Sequence, residues 1–160
     1  MSNLPETKIT TLEKLRKISN ILDNAIAIPG TEYRMGLDPI LGLLPGGGDT
    51  LTAFFSAYIV WEAAQMGLPR ETLIRMVWNI VFDTLLGFIP VLGDIFDVAW
   101  KANVKNICLI ESHLASPVQS KKVNKLFLIL LLSGLILFII GISWLTVTVF
   151  RLIFSLFTGS

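Results

Sequence analysis

Apolar positions along this chain follow three different rules. Near the start they recur at steps of three and four: Leu12, Leu15, Ile18, Ile21 and Leu22. That spacing predicts an amphipathic helix capped by Thr10 or Thr11, reaching about Ala27 and ended by Ile28-Pro29-Gly30. Residues 1–7 carry no such pattern and read as unstructured. In the middle, apolar residues cover nearly the whole circumference. Leu51 to about Met66 reads as a helix with small Ala53, Ser56, Ala57, Ala63 and Ala64 that permit close helix contact, stopped by Gly67-Leu68-Pro69. A second apolar helix opens at Glu71 and runs to Phe88, interrupted by Arg75, Asn79 and Asp83. A third, Ile95 to about Leu114, is more polar, with Asp97, Lys101 and Lys105 at i, i+4 steps. At the end the rule is simple exclusion: Leu126 to Phe150 contains no charged residue. About 20 apolar residues span a bilayer, so this stretch predicts a transmembrane helix. No turn signal divides it into two spans.

The middle region also repeats itself. Asp38-Pro39-Ile40-Leu41-Gly42-Leu43-Leu44-Pro45-Gly46-Gly47-Gly48-Asp49 returns as Asp83-Thr84-Leu85-Leu86-Gly87-Phe88-Ile89-Pro90-Val91-Leu92-Gly93-Asp94. Asp38, Gly42, Pro45, Gly48 and Asp49 match Asp83, Gly87, Pro90, Gly93 and Asp94 at a constant offset (83 − 38 and 94 − 49 both give 45). A constant offset predicts a duplicated helix–break–helix unit. Pro and Gly break a helix, and Asp49 and Asp94 are placed to cap the next one. Asp38-Pro39 also reads as a helix start, with a short apolar helix to Leu44.

Composition strengthens the membrane reading. The chain is 53% hydrophobic and 16% charged, with mean hydropathy +0.70; an ordinary soluble domain carries about 25% charged residues. The N-terminal residues lack the apolar core of a signal peptide, so an internal anchor is expected to direct insertion. A net charge of +1 and the lack of a basic-aromatic patch argue against nucleic acid. Lys121, Lys122 and Lys125 precede the apolar stretch and only Arg151 follows it. The positive-inside tendency then puts the N-terminal domain in the cytoplasm or its stromal equivalent.

Candidate chemistry is sparse. The four repeat carboxylates, Asp38, Asp49, Asp83 and Asp94, have a structural reading as helix caps. They also have a functional one, because transporters place broken helices and carboxylates at ion or substrate sites. Carboxylates suit Mg²⁺ or Ca²⁺, but no metal-loop spacing is present. Arg75, Asn79 and Asp83 share one helix face at steps of four. They read as a buried polar stripe pairing with the other repeat, or as an ion path. Glu62 reads as the wet end of its helix. His113 reads as a surface or capping residue, and the single Cys108 as a small buried thiol. Trp100 and Trp144 are the better interfacial candidates among the four tryptophans. Glycines 46–48 are not a phosphate loop, because no Lys-Ser/Thr follows and Asp49 repels phosphate.

Residues from about 25 to 115 resemble the DUF4112 family, a domain of unknown function. The residues that carry the resemblance are Ile28-Pro29-Gly30-Thr31, Gly36-Leu37-Asp38-Pro39, Gly42 to Asp49, Trp61-Glu62-Ala63, Gly87 to Asp94 and Phe96 to Asn103. The resemblance implies that the two Gly-Asp motifs are a family signature, and it implies no activity.

The expected fold is an all-α membrane protein. Residues 1–28 form an amphipathic helix, 29–116 a duplicated helical core, 117–125 a basic linker and 126–157 a transmembrane helix and tail. The expected role is a membrane-anchored interaction protein, an assembly, stabilising or accessory subunit of a larger membrane complex. Its partners are the lipid bilayer and other membrane subunits or further copies of itself. No enzyme activity, cofactor or metal is expected. The alternative is a small ion or solute transporter or channel built from the two repeats. A membrane hydrolase using the carboxylates ranks third.

Overall fold

Pro5 sets the start of the first helix. Its carbonyl accepts from the backbone N–H groups of Lys8 and Ile9 at 2.9 and 3.4 Å, and α1 runs Glu6–Asn24. Thr10 and Thr11 are therefore interior residues and not caps. Their hydroxyls donate back to the carbonyls of Glu6 and Thr7, as threonines inside a helix commonly do. The helix ends at Asn24, short of the expected Ala27, because Ile26–Ala27 pairs antiparallel with Arg34–Met35. This two-residue pair (β1 and β2) is the only sheet among the described residues of an all-α structure. The computed structural model describes residues 5–24, 26–27, 34–35, 48–87, 101–116 and 123–158. The expected short helix at 38–44, the Pro45 and Pro90 breaks, Gly42, Gly93 and Asp94 lie outside them.

α2 spans Gly48–Gln65 and α3 spans Arg70–Gly87. The start of α2 puts Asp49 inside the first turn and not ahead of it. Between the two helices the chain closes as the sequence predicts. Gly67 takes φ +92°, its N–H bonds the Ala64 carbonyl, and the Leu68 N–H bonds the Ala63 carbonyl. This is the Schellman arrangement, in which a residue with positive φ lets two N–H groups satisfy carbonyls left open at a helix end. Leu68 is fully buried and anchors the turn. A cation completes it: the Lys8 ammonium donates to the Met66 carbonyl at 3.0 Å, where the helix dipole favours positive charge.

α4 spans Ala102–Ala115 and not Ile95 to Leu114. Lys101 precedes it in the left-handed region, with φ 34°, so no helix is continuous through that residue. α5 spans Lys125–Thr158 as one unbroken helix, about 51 Å long at 1.5 Å per residue. It is long and apolar enough to cross a membrane, and only 17% of its most apolar window is buried.

The helices pack in layers. α1 lies against α4, the α2–α3 pair lies between, and α5 packs along α2 and α3. One core joins them, including Leu15 of α1, Ile59 of α2, Met76 of α3, Ile110 of α4 and Leu135 and Ile139 of α5. Three interactions gather helix ends at one side of the bundle. Lys8 reaches the end of α2, Lys8 also repels the charged form of His113 at the end of α4, and the Arg70 guanidinium sits 4.9 Å over the Phe127 ring. The starts of α1, α3 and α5 thus share one side with the ends of α2 and α4. Arg16 and Glu111 form an ion pair at 2.6 Å across α1 and α4; both are partly exposed, so its contribution is small.

The Gly67 turn gives a direct test. An added Cβ meets no atom within 4 Å, so Gly67→Ala carries only the backbone penalty of positive φ, about 1–2 kcal/mol. Thermal unfolding monitored by circular dichroism in detergent is expected to show that loss, with helicity unchanged before the transition.

Candidate functional site

α1, α2, α3 and α4 each bring one or two polar side chains inward, and these meet. Asp23 is the next-to-last residue of α1, on the face that buries Leu12, Leu15, Ser19 and Leu22. Its Oδ2 accepts from the backbone N–H of Val104 at 2.7 Å. Its Oδ1 accepts from Asn103 Nδ2 at 2.9 Å. Val104 is the third residue of α4, so its N–H is one of the donors a helix start leaves open. Lys101, at the cap position, makes no side-chain cap hydrogen bond. The cap comes instead from another helix: a carboxylate of α1 fills the place an N-cap aspartate normally takes.

The chain of bonds continues into α2. Ser56 Oγ donates to Asn103 Oδ1 at 2.9 Å, and both residues are buried. Asn103 thus uses its amide as donor and acceptor between α1 and α2. One turn along α4, Asn106 repeats the device toward α3. Its Oδ1 accepts from Asn79 Nδ2 at 2.8 Å, and its Nδ2 donates to the Met76 carbonyl at 3.1 Å. Two asparagines three apart on α4 therefore tie α1, α2 and α3 to it. Each satisfied bond contributes about 1 kcal/mol, but losing one partner of a buried pair costs more, because the other is left without water or protein. Ser19 Oγ is the exception among the described residues: it is buried with no hydrogen-bond partner.

The electrostatics follow from burial. Desolvation raises the pKa of Asp23 above 3.8, and the bonds from Asn103 and Val104 and the charge of Lys101 only partly oppose it. Desolvation also pulls Lys105 below its usual value against the opposing charge of Asp83. His113 is held down mainly by desolvation and then by Lys8.

The expected stripe Arg75, Asn79, Asp83 divides. Asn79 is half-buried and bonded to α4, and Asp83 is half-buried within reach of the Lys105 charge. Arg75 is exposed. Steps of four advance 40° round a helix of 3.6 residues per turn, so across eight residues the face turns from solvent to α4. Of the ten residues matched between the two repeats, Asp83 alone has a described side-chain environment; Gly48, Asp49 and Gly87 are placed only as backbone within α2 and α3. Cys108 is exposed and free, not buried, because it sits opposite the Asn106–Ile110 face of α4. Among the described residues no group of three or more His, Cys, Asp or Glu side chains converges as a metal site. Asp23, Ser56, Asn103 and Asn106 were not singled out by spacing. The available signal was their interruption of apolar faces: Asp23 follows Leu22, while Asn103 and Asn106 share a face with Ile107, Ile110 and Leu114.

The model of the domain of unknown function DUF4112 matches residues 11–114. Neither a curated protein nor a solved structure matches the chain. The matched segment opens in α1 and closes at Leu114, so it contains all of the polar spine and none of α5.

Raised in the folded state, the Asp23 pKa means that the fold binds this proton more tightly than the unfolded chain does. Stability from this group is therefore present in acid, near 3.8 and below, and is lost as pH rises through the folded value. Asp23→Asn is expected to flatten that dependence. Melting temperatures of the two proteins in detergent, measured from neutral pH down toward 4, are expected to converge at the acid end.

Proposed function

The chain belongs to the DUF4112 family, and from that premise we propose that it is a membrane-anchored helical interaction protein, an accessory or stabilising subunit of a larger membrane assembly. α5 is the anchor in this reading. The observation that carries it is the exposure of α5: beyond Ile139 it continues for about five turns at 3.6 residues per turn, with Trp144, Leu152, Phe154 and Leu156 open to the surroundings. A helix this apolar needs lipid or other helices around it. Gly134 and Gly141 lie seven apart on it, and an added Cβ at either meets nothing within 4 Å. Small residues of this kind let a second helix approach closely.

Lys121, Lys122 and Lys125 before the charge-free stretch, against Arg151 after it, support placing the matched domain on the cytoplasmic or stromal side. The 45-residue offset supports reading the core as a duplicated helix–break–helix unit. In that reading the Pro-Gly breaks and their aspartates are organising elements. The polar spine favours an interaction role over a transporter. Its buried amides and carboxylate are engaged with one another and with helix ends, which fixes helix positions.

Blue-native electrophoresis of mild detergent extracts tests the proposal. Migration above the monomer is expected, with a discrete set of co-purifying subunits or further copies. Migration at the monomer position alone, with nothing co-purifying, contradicts it.

A further inference from the structure

The bundle has two unlike sides. Its α1 side is charged, with Glu13, Lys14, Arg16 and Lys17 all exposed. The opposite side carries a long apolar stripe. On α3, Ile74, Trp78, Phe82 and Leu85 recur at steps of four and three and are all exposed, Trp78 to 63%. On α2, Phe54 and Trp61 are exposed in the same way. Large apolar residues scattered singly over a surface are ordinary, but a stripe of this length marks an interaction surface.

α5 identifies the occupant. It packs directly on α2 and α3, with Leu128, Leu135 and Ile139 buried in the contact. That contact covers about 17 Å of helix at 1.5 Å per residue and lies inside the charge-free stretch 126–150. The outward residues of α5 at the same level, Leu130 and Leu137, are more than 60% exposed. The apolar surface of α3 therefore continues that of α5 at one depth. On α3 the exposed charges keep to the end beside the start of α5. Arg70 stacks on Phe127, with Glu71 and Arg75 in the next turn, while Asn79 and Asp83 further along turn toward α4.

We infer that the α2–α3 pair is sunk in the near leaflet beside α5, with the Ile74–Trp78–Phe82–Leu85 stripe against lipid acyl chains and the charged α1 side turned away from lipid. This rests on α5 being the membrane anchor. A lipid surface is the occupant that makes one continuous apolar face of three helices, and Arg70 and Arg75 then sit at the headgroup level, where long cationic side chains are favourable. A helix tilted from the membrane normal, as spanning helices commonly are, brings the α3 side down and lifts the α1 side toward water.

Depth-resolved fluorescence quenching tests this with the full chain in phosphatidylcholine–phosphatidylglycerol vesicles. Single-tryptophan proteins retain Trp78 or Trp144, the other tryptophans being replaced by Phe. Two more carry one tryptophan through Leu85→Trp or Lys17→Trp in a background with all four replaced, and the helicity of each is compared with the parent. Acyl-chain nitroxide lipids are expected to quench Trp78 and the Leu85→Trp reporter about as strongly as Trp144, and at least about threefold more than the Lys17→Trp reporter. Strong quenching of Trp144 with Trp78 and Leu85→Trp open to aqueous acrylamide overturns the inference and leaves the anchor standing. Aqueous quenching of Trp144 as well overturns both.

Discussion

The Asp23 carboxylate at the start of α4 is the constraint on which the bundle depends. α4 begins at a residue in the left-handed region, Lys101, with no side-chain cap of its own. Its first N–H groups therefore need a partner from elsewhere. Asp23 supplies it from α1, and in doing so fixes the axial position of α1 against α4. The bond from Asn103 to the same carboxylate brings in Ser56 of α2, and Asn106 brings in Asn79 of α3. Hydrophobic packing alone allows helices to slide by a turn at little loss. A ladder of polar pairs does not, because every slipped register leaves buried groups unbonded.

That ordering device has an energetic consequence. A buried carboxylate is unfavourable unless its hydrogen bonds and nearby charge offset desolvation. For Asp23 they offset it only partly, so the same residue that specifies the packing also weakens it as pH rises. Specificity and stability are separable here, as they are for buried polar groups in other helical assemblies.

Much of the helical architecture was legible in the sequence, and the reasons are physical. Apolar periodicity located α1, continuous apolar runs located α2 and α3, the Gly67-Leu68-Pro69 punctuation placed their turn, and the charge-free run located α5. Boundaries failed where the deciding interaction was not local. Thr10 and Thr11 resembled caps, but Pro5 starts the helix. α4 was drawn from Ile95, because nothing in the residues around Lys101 announces a cap supplied from Asp23, distant in the chain. Asn79 and Asp83 were found by spacing, and Arg75 was grouped with them because a step of four looks constant over one turn and drifts over two. The polar spine itself was hidden for a different reason. An asparagine on an apolar helix face reads as a defect until its partner on another helix is known. The second sidedness, aromatic on α2 and α3 and charged on α1, depends on which faces of two nearly all-apolar helices the core consumes. Periodicity cannot decide that for a helix apolar all round.

The central claim is that the Asp23 carboxylate caps α4 and thereby sets the helix register. Residue-resolved hydrogen exchange of the backbone amides tests it most directly. In the parent protein the Val104 amide is expected to exchange slowly. In Asp23→Ala it is expected to exchange about 30-fold faster, a loss of roughly 2 kcal/mol of the kind seen on removing a strong helix cap, while amides in the middle of α5 keep their protection. Equal protection of Val104 in the two proteins would contradict the claim.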